Sequence, residues 1–327
     1  MRLSLKGGRQ VCCAYLHAAG VCKVIVILAS EPGAPVRFSY YGAWPIEPVW
    51  WCVMSLCPCT MHAAQNDEGG HVIKAAFFDV DGTLLSFATH EMPVSTKEAI
   101  RSMREQGILT IVASGRAFYQ LPSCLRSGFD AYITLNGQLC FDDRGVFRSN
   151  PIDPADVRVM VDQAAQGLYD ILVMQRDRAF VSSFSESVCA IMKQSGVTYE
   201  LDELDRAFDA PVYQFCAFLD PGEERIFMDA TKAVKQTRWS PWFCDVVPAA
   251  GGKSYGIQAV FERYGIAPEE AVAFGDGEND LSMFEMVGTS VAMGNASDMV
   301  KAHATLVTDD VDSDGLYNAC KKLGLLS

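Results

Sequence analysis

Phe77-Phe78-Asp79-Val80-Asp81-Gly82-Thr83-Leu84 sets two carboxylates two residues apart, where an apolar run gives way to a glycine turn. The preceding residues 72–78 are apolar except for Lys74, the pattern of a strand buried in a parallel sheet. In open α/β sheets ligands gather outside the carboxyl ends of the strands, which is where Asp79 and Asp81 would fall. A carboxylate there can attack phosphorus and split one hard displacement into two steps through an aspartyl-phosphate. The second carboxylate, one pleat further on, can protonate the leaving oxygen and later take a proton from water. Gly82 and Thr83 can turn backbone N–H groups toward phosphate oxygens. Read alone, Asp-x-Asp-Gly is equally a solvated turn, because both residue types favour turns for local reasons. Its place at the end of the most apolar strand favours chemistry.

Three further stretches bear on the same site. Ile111-Val112-Ala113-Ser114-Gly115-Arg116 ends a second apolar run with a hydroxyl, which can bond a phosphate oxygen or cap a helix, and can do both. Phe274-Gly275-Asp276-Gly277-Glu278-Asn279-Asp280 again follows an apolar run with acids. Magnesium takes oxygen ligands, usually one or two carboxylates plus substrate phosphate. Asp79 and Asp276, with the Asp81 carbonyl, can supply the protein's share; the bland reading is another Gly-Asp turn. Gly251-Gly252-Lys253-Ser254 resembles a P-loop, but the leading glycine of that motif would fall at Val247. Lys253 reads better as the charge partner of the crowded carboxylates and phosphate, against the ordinary alternative of a surface lysine.

Working outward, Ser95-Thr96-Lys97-Glu98 has the form of a capping box, so a helix is expected from Ser95 to Gly107. Strands are expected at 108–113 and 131–135, with helical residues after Arg116. This alternation argues for a doubly wound parallel sheet with helices on both faces. The texture changes at 141–248. There we expect a helix from Asp153-Pro154 to Gly167, strands at 171–174 and 180–183, and a helix at 186–194. A half-buried strand at 212–219, a helix at 221–235 and a strand at 239–247 complete an inserted α+β unit. The α/β pattern then resumes, with a helix at 254–264, a strand at 271–274, a helix after Asn279 and a strand at 290–293. Trp239, Trp242, Tyr213 and Phe215 can line a pocket in the insert, although apolar core is the plainer role.

The chain has 327 residues, room for two ordinary domains, and a formal net charge of −13. That acidity argues against general nucleic-acid binding but not against small phosphorylated substrates, whose charge a metal ion and a few lysines can meet. Residues 1–70 differ from the rest: their net charge is +1, and they hold six of the twelve cysteines. Their apolar run at 24–29 is too short for a bilayer, which needs ~20 residues, and Lys23 spoils it as a signal peptide. Cys52, Cys57, Cys59 and His62 lack the spacing of a standard zinc site. We expect this segment to be an atypical, disordered extension or an over-extended start, with Met61 as the native beginning. The remaining cysteines are scattered singly, as in a reducing compartment. The expectations are therefore cytoplasm, no membrane and no obligate protein partner.

The four stretches, in this order, resemble the haloacid dehalogenase-like superfamily of phosphotransferases, and within it the Cof-type sugar-phosphatase branch. Leu135-Asn136-Gly137, Gly294-Asn295-Ala296 and Asp314-Gly315 resemble further segments of that branch. The resemblance runs from about Val72 to the C-terminus and has no counterpart in residues 1–70. It implies a Rossmann-like core at 71–140 and 249–327, with a cap at 141–248. It implies Asp79 as nucleophile and metal ligand, Asp81 as general acid/base and Lys253 as the group that orients the nucleophile. Gly82, Thr83, Ser114, Gly115 and Asn279 would surround the phosphate. Asp79, Asp81, Asp276 and Asp280 would form the Mg2+ site. Ser254 departs from the glycine common after the lysine in that branch. The expected function is Mg2+-dependent hydrolysis of a small phosphorylated metabolite. A phosphomutase and a non-catalytic phosphometabolite-binding protein remain open. A dehalogenase fits poorly, because it has no use for Asp81.

Overall fold

The computed structural model describes residues 72–326 apart from Trp239, together with the backbone of four strands near the N-terminus. Those strands, β1 (Arg2–Leu5), β2 (Arg9–Ala18), β3 (Val21–Ala29) and β4 (Arg37–Tyr40), form an antiparallel sheet in chain order. The apolar run at 24–29 lies within β3. Met61, Cys52, Cys57, Cys59 and His62 lie outside the described residues.

The remainder of the chain forms a unit from Gly70 to Ser327. Its large sheet begins with β5 (Ala75–Phe78), buried at every position. Helix α1 (Val94–Glu105) leads to β6 (Leu109–Ala113), and two short 3₁₀ turns lead to β7 (Ala131–Thr134). The helix starts one residue before the expected cap, with Pro93 preceding Val94. Ser95 therefore sits inside the first turn, where its buried hydroxyl makes no hydrogen bond, and the capping box is not formed.

Strands β8 (Leu139–Asp142) and β9 (Gly145–Ser149) then add antiparallel to β7 at the edge of the same sheet. Residues 141–149 thus belong to the large sheet, and the insert starts after Ser149 instead of at Phe141. It contains α2 (Pro154–Ala165), β10 (Asp170–Gln175), β11 (Ala179–Val181), α3 (Glu186–Ser195) and β12 (Glu200–Leu201). It continues through β13 (Val212–Phe218), α4 (Arg225–Met228), β14 (Val234–Thr237) and β15 (Cys244–Pro248). Asp153 caps α2 as expected, accepting from the Ala155 N–H.

Two expectations in the insert fail. β13 is buried at all seven positions, because it lies inside a six-stranded sheet ordered β12-β11-β10-β13-β15-β14 and both of its faces are covered. The expected helix at 221–235 is a single turn, α4, followed by β14, which finds a partner in β15 that local sequence does not reveal.

The core resumes with α5 (Lys253–Tyr264), β16 (Ala271–Gly275), α6 (Leu281–Phe284), β17 (Thr289–Ala292), α7 (Asp298–Ala302), β18 (Leu306–Val307) and α8 (Gly315–Lys322). The large sheet is ordered β18-β17-β16-β5-β6-β7-β8-β9, and its first six strands are parallel. Successive side chains of a strand face opposite ways, and β5 uses this to anchor both helix layers. Phe78 stacks on Phe274 at 5.2 Å on the side covered by α1 and α8. Phe77 meets Phe261 of α5 edge-on at 5.8 Å on the other. Fully burying such a ring contributes ~1.5–3 kcal/mol. Among the described residues, no helix is long and apolar enough to cross a membrane.

Candidate active site

Strand register explains why stretches distant in sequence meet. Phe78 pairs with Phe274 on one side and with Val112 on the other. The residues just beyond these pairs, Asp79, Asp276 and Ser114, therefore emerge side by side at the carboxyl rim of the sheet. Lys253 opens α5, whose Ile257, Val260 and Phe261 pack on the sheet. Its ammonium is driven to the same rim, only 1% exposed.

Lys253 Nζ donates to both Asp79 and Asp280, at 2.6 Å for Asp280 Oδ1. The second Asp280 oxygen accepts the N–H groups of Asp276 and Gly277, each at 3.0 Å. Asp280 is wholly buried, and this turn is what makes a buried carboxylate tolerable there. One oxygen each from Asp79, Asp276 and Asp280 lies within 4.8 Å of the others. Burial and the neighbouring Asp280 push the Asp79 carboxyl well above its usual range, against the pull of Lys253. The same causes raise Asp276 to about 7. Burial works against the charge of Lys253, but Asp280 and Asp79 outweigh it and hold the ammonium protonated. Three carboxylates thus face one ammonium, a donor set of hard oxygens with a deficit of positive charge. That set fits a divalent cation such as Mg2+.

Gly82 is required here on two counts. Its φ is +88°, and a Cβ would stand 2.2 Å from Asp276 Oδ2. The Gly82 N–H donates to Leu85 O at 2.9 Å, and the Thr83 N–H to Val80 O at 3.4 Å. The two amides expected to face phosphate are therefore engaged within the turn. Thr83 contributes through its hydroxyl instead, which donates to Asp276 Oδ1 at 3.3 Å. The Asp81 side chain stands apart from the three-carboxylate cluster and pairs with Arg116. Ser114 is buried, and its hydroxyl accepts the Arg116 N–H at 3.1 Å while lining the chamber above the rim. Gly115 and Asn279 line the same chamber.

Sequence reasoning assigned no role to three residues of the site. Arg116 follows the hydroxyl motif directly and grips Asp81. Asn295 donates to the Gly82 carbonyl at 2.9 Å and to Asp276 Oδ2 at 3.0 Å, tying two acidic turns together. Asn136, held at φ 53°, donates across to Gln214 and Asp245 of the insert at 3.1 and 3.2 Å. All three lie inside stretches that the sequence singles out, Ser114-Gly115-Arg116, Gly294-Asn295-Ala296 and Leu135-Asn136-Gly137, but none of these motifs shows which neighbour its side chain meets. Of the four aromatic residues considered in the insert, Tyr213 and Phe215 are buried core, Trp242 is exposed and Trp239 lies outside the described residues.

The insert's sheet covers the rim and encloses a chamber of about 280 Å³ between itself and the site. Its floor includes Asp79, Asp81, Ser114 and Asp276, and its ceiling comes from β10, β13 and β15.

The family model for haloacid dehalogenase-like hydrolases matches residues 76–320. Over 258 residues the chain is 34% identical to the Bacillus subtilis (strain 168) protein named "Putative phosphatase YkrA", covering 77% of this chain and 98% of that one. The structure of the HAD subclass IIB sugar phosphatase BT4131 superposes with a TM-score of 0.71 at 32% identity, covering 77% of this chain and 100% of its own. That of BT1666 from Bacteroides thetaiotaomicron gives a TM-score of 0.73 at 33% identity, covering 81% and 100%. A parallel α/β core carrying an α+β cap, an acidic rim and these matches lead to one assignment: the chain belongs to the haloacid dehalogenase-like hydrolase family.

Proposed function

We propose that this protein is a Mg2+-dependent phosphatase that hydrolyses small phosphomonoesters through a phosphorylated Asp79. The observation that carries this reading is the convergence of Asp79, Asp276 and Asp280 within 4.8 Å, with Lys253 bonded to two of them. The phosphatase names of its relatives support it.

Asp79 attacks phosphorus in line, and the bond from phosphorus to the ester oxygen breaks. Asp81 gives its proton to the departing alkoxide. Asp81 then takes a proton from water, whose oxygen attacks the phosphoryl group and frees Asp79 and inorganic phosphate. Lys253 neutralises Asp79 and the phosphoryl oxygens, and the Ser114 hydroxyl bonds one of them. Asp79 and Asp276, with the Asp81 carbonyl, would hold Mg2+, and Asp280 would support them from behind. The ion would supply charge neutralisation for the phosphoryl oxygens. The six described cysteines outside the N-terminal segment are free, which suits a cytoplasmic setting.

Hydrolysis of a phosphomonoester panel in 18O water, with and without Mg2+, tests the proposal. Mg2+-dependent release of phosphate carrying the label is expected. Transfer to a second hydroxyl without label would indicate a mutase, and no turnover of any ester would indicate a binding protein.

A further inference from the structure

The chamber's ceiling describes the leaving group. In β10, β13 and β15 the cross-strand partners Leu172, Cys216 and Asp245 form one row, and Met174 and Gln214 form the next. Because side chains alternate along a strand, these residues share one face, while Ile171, Val173, Phe215, Ala217 and Val246 fill the cap's core on the other. The chamber face is mostly apolar. Leu172, Met174 and Phe218 line it, with Phe243 beside Phe218 at 5.6 Å between ring centroids.

The polar part of the ceiling is small and already organised. Gln214 donates to Asp245 at 3.1 Å, and both are joined to Asn136 of the core. The charge of the lining is one-sided. Besides the acids of the floor it includes Asp245 and Glu278, and the only basic residues among the described lining are Arg116 and His90. Arg116 spends both of its facing nitrogens on Asp81.

We infer that the chamber selects phosphomonoesters of neutral alcohols bearing a flat apolar ring over those of sugars and other polyols, and rejects leaving groups that carry a second phosphate or a carboxylate. This rests on the phosphatase reading and narrows it. A flat apolar ring replaces water against Leu172, Met174 and the two phenylalanines, and an N–H or O–H at its edge can reach the Gln214–Asp245 corner. A second anion would be desolvated beside carboxylates, with Arg116 already paired to Asp81 and only the exposed His90 left as a basic group among the described lining. A bare polyol would lay several hydroxyls on apolar side chains and lose their hydrogen bonds to water.

The test compares kcat/KM for benzyl phosphate, 4-carboxybenzyl phosphate and glucose 6-phosphate, with methyl phosphate as a short ester that does not reach the ceiling. Benzyl phosphate is expected to exceed both other organic esters by at least about tenfold. In Phe243→Leu and Phe243→Ala the benzyl-to-glucose ratio should fall severalfold, and a retained cooperative melting transition shows that the variants fold. Equal or better use of 4-carboxybenzyl phosphate or glucose 6-phosphate by the native protein overturns the inference, as does a ratio that neither substitution moves. Failure to hydrolyse any of these esters, methyl phosphate included, overturns the phosphatase reading itself.

Discussion

Arg116 holds both carboxylate oxygens of Asp81, with Nε 2.8 Å from Oδ2 and Nη2 2.7 Å from Oδ1. This two-pronged grip fixes the direction of the proposed acid/base, since the planar guanidinium allows little rotation of a paired carboxylate. Asp81→Asn should lower kcat by about 10²–10⁴-fold. Arg116→Met should lower kcat less, by about 10-fold or more, through misdirection of Asp81. The double substitution should be no worse than Asp81→Asn, because both act on one proton transfer. Multiplicative losses in steady-state kinetics would show that Arg116 acts independently of Asp81.

Gly82→Ala should impair the metal site more than the fold. The added methyl group meets Asp276 Oδ2, and the positive φ strains any other residue. Calorimetry should show Mg2+ affinity reduced by about tenfold or more, with the loss of stability confined to about 1–3 kcal/mol. An alanine variant with native Mg2+ affinity would mean that Asp276 does not hold the ion.

Asn295→Ala should act in the same direction by a different route. Without its amide, Asp276 and the Gly82 carbonyl lose their shared donor. Residues that orient metal ligands typically matter by about 10–100-fold in metal affinity or activity. Titration of Mg2+ against activity should show a raised requirement that high Mg2+ largely restores. A variant deficient even at saturating Mg2+ would place Asn295 in the chemistry instead.

The metal-free protein should lose stability as pH rises toward neutrality. Asp276 is raised from 3.8 to about 7 by burial and Asp280, so between these values the folded state holds a proton that the unfolded chain releases. Stability then falls with increasing pH across that window and levels off above it. Mg2+ competes with the proton, so its stabilising effect should grow from pH 5 to 8. Melting temperatures with EDTA and with Mg2+ should diverge over that range. A gap independent of pH would contradict the assignment of Asp276 as a ligand.

The core was legible because its signals are local. A fully apolar strand ending in Asp79, and another ending in Asp276, announce both a parallel sheet and its functional rim. Lys253 was legible from its place at a helix start just upstream of β16. The failures share a different origin. β13 was read as half-buried and 221–235 as helical because their partners across the cap sheet, β10 and β15, lie elsewhere in the chain. The commitment of the Gly82 and Thr83 amides to Leu85 and Val80 follows from the handedness of one turn, which the residue types permit but do not dictate. Arg116 and Asn295 were visible as letters, yet their partners, Asp81 and Asp276, are fixed only by the folded rim.

The central claim is that Asp79 becomes covalently phosphorylated. Rapid mixing with 32P-labelled ester, acid quench and peptide mapping reads this directly. Label on the peptide bearing Asp79, absent in Asp79→Asn and lost on a chase with unlabelled substrate, is the predicted result. Turnover that proceeds with no trapped label, or with label on another residue, would contradict it.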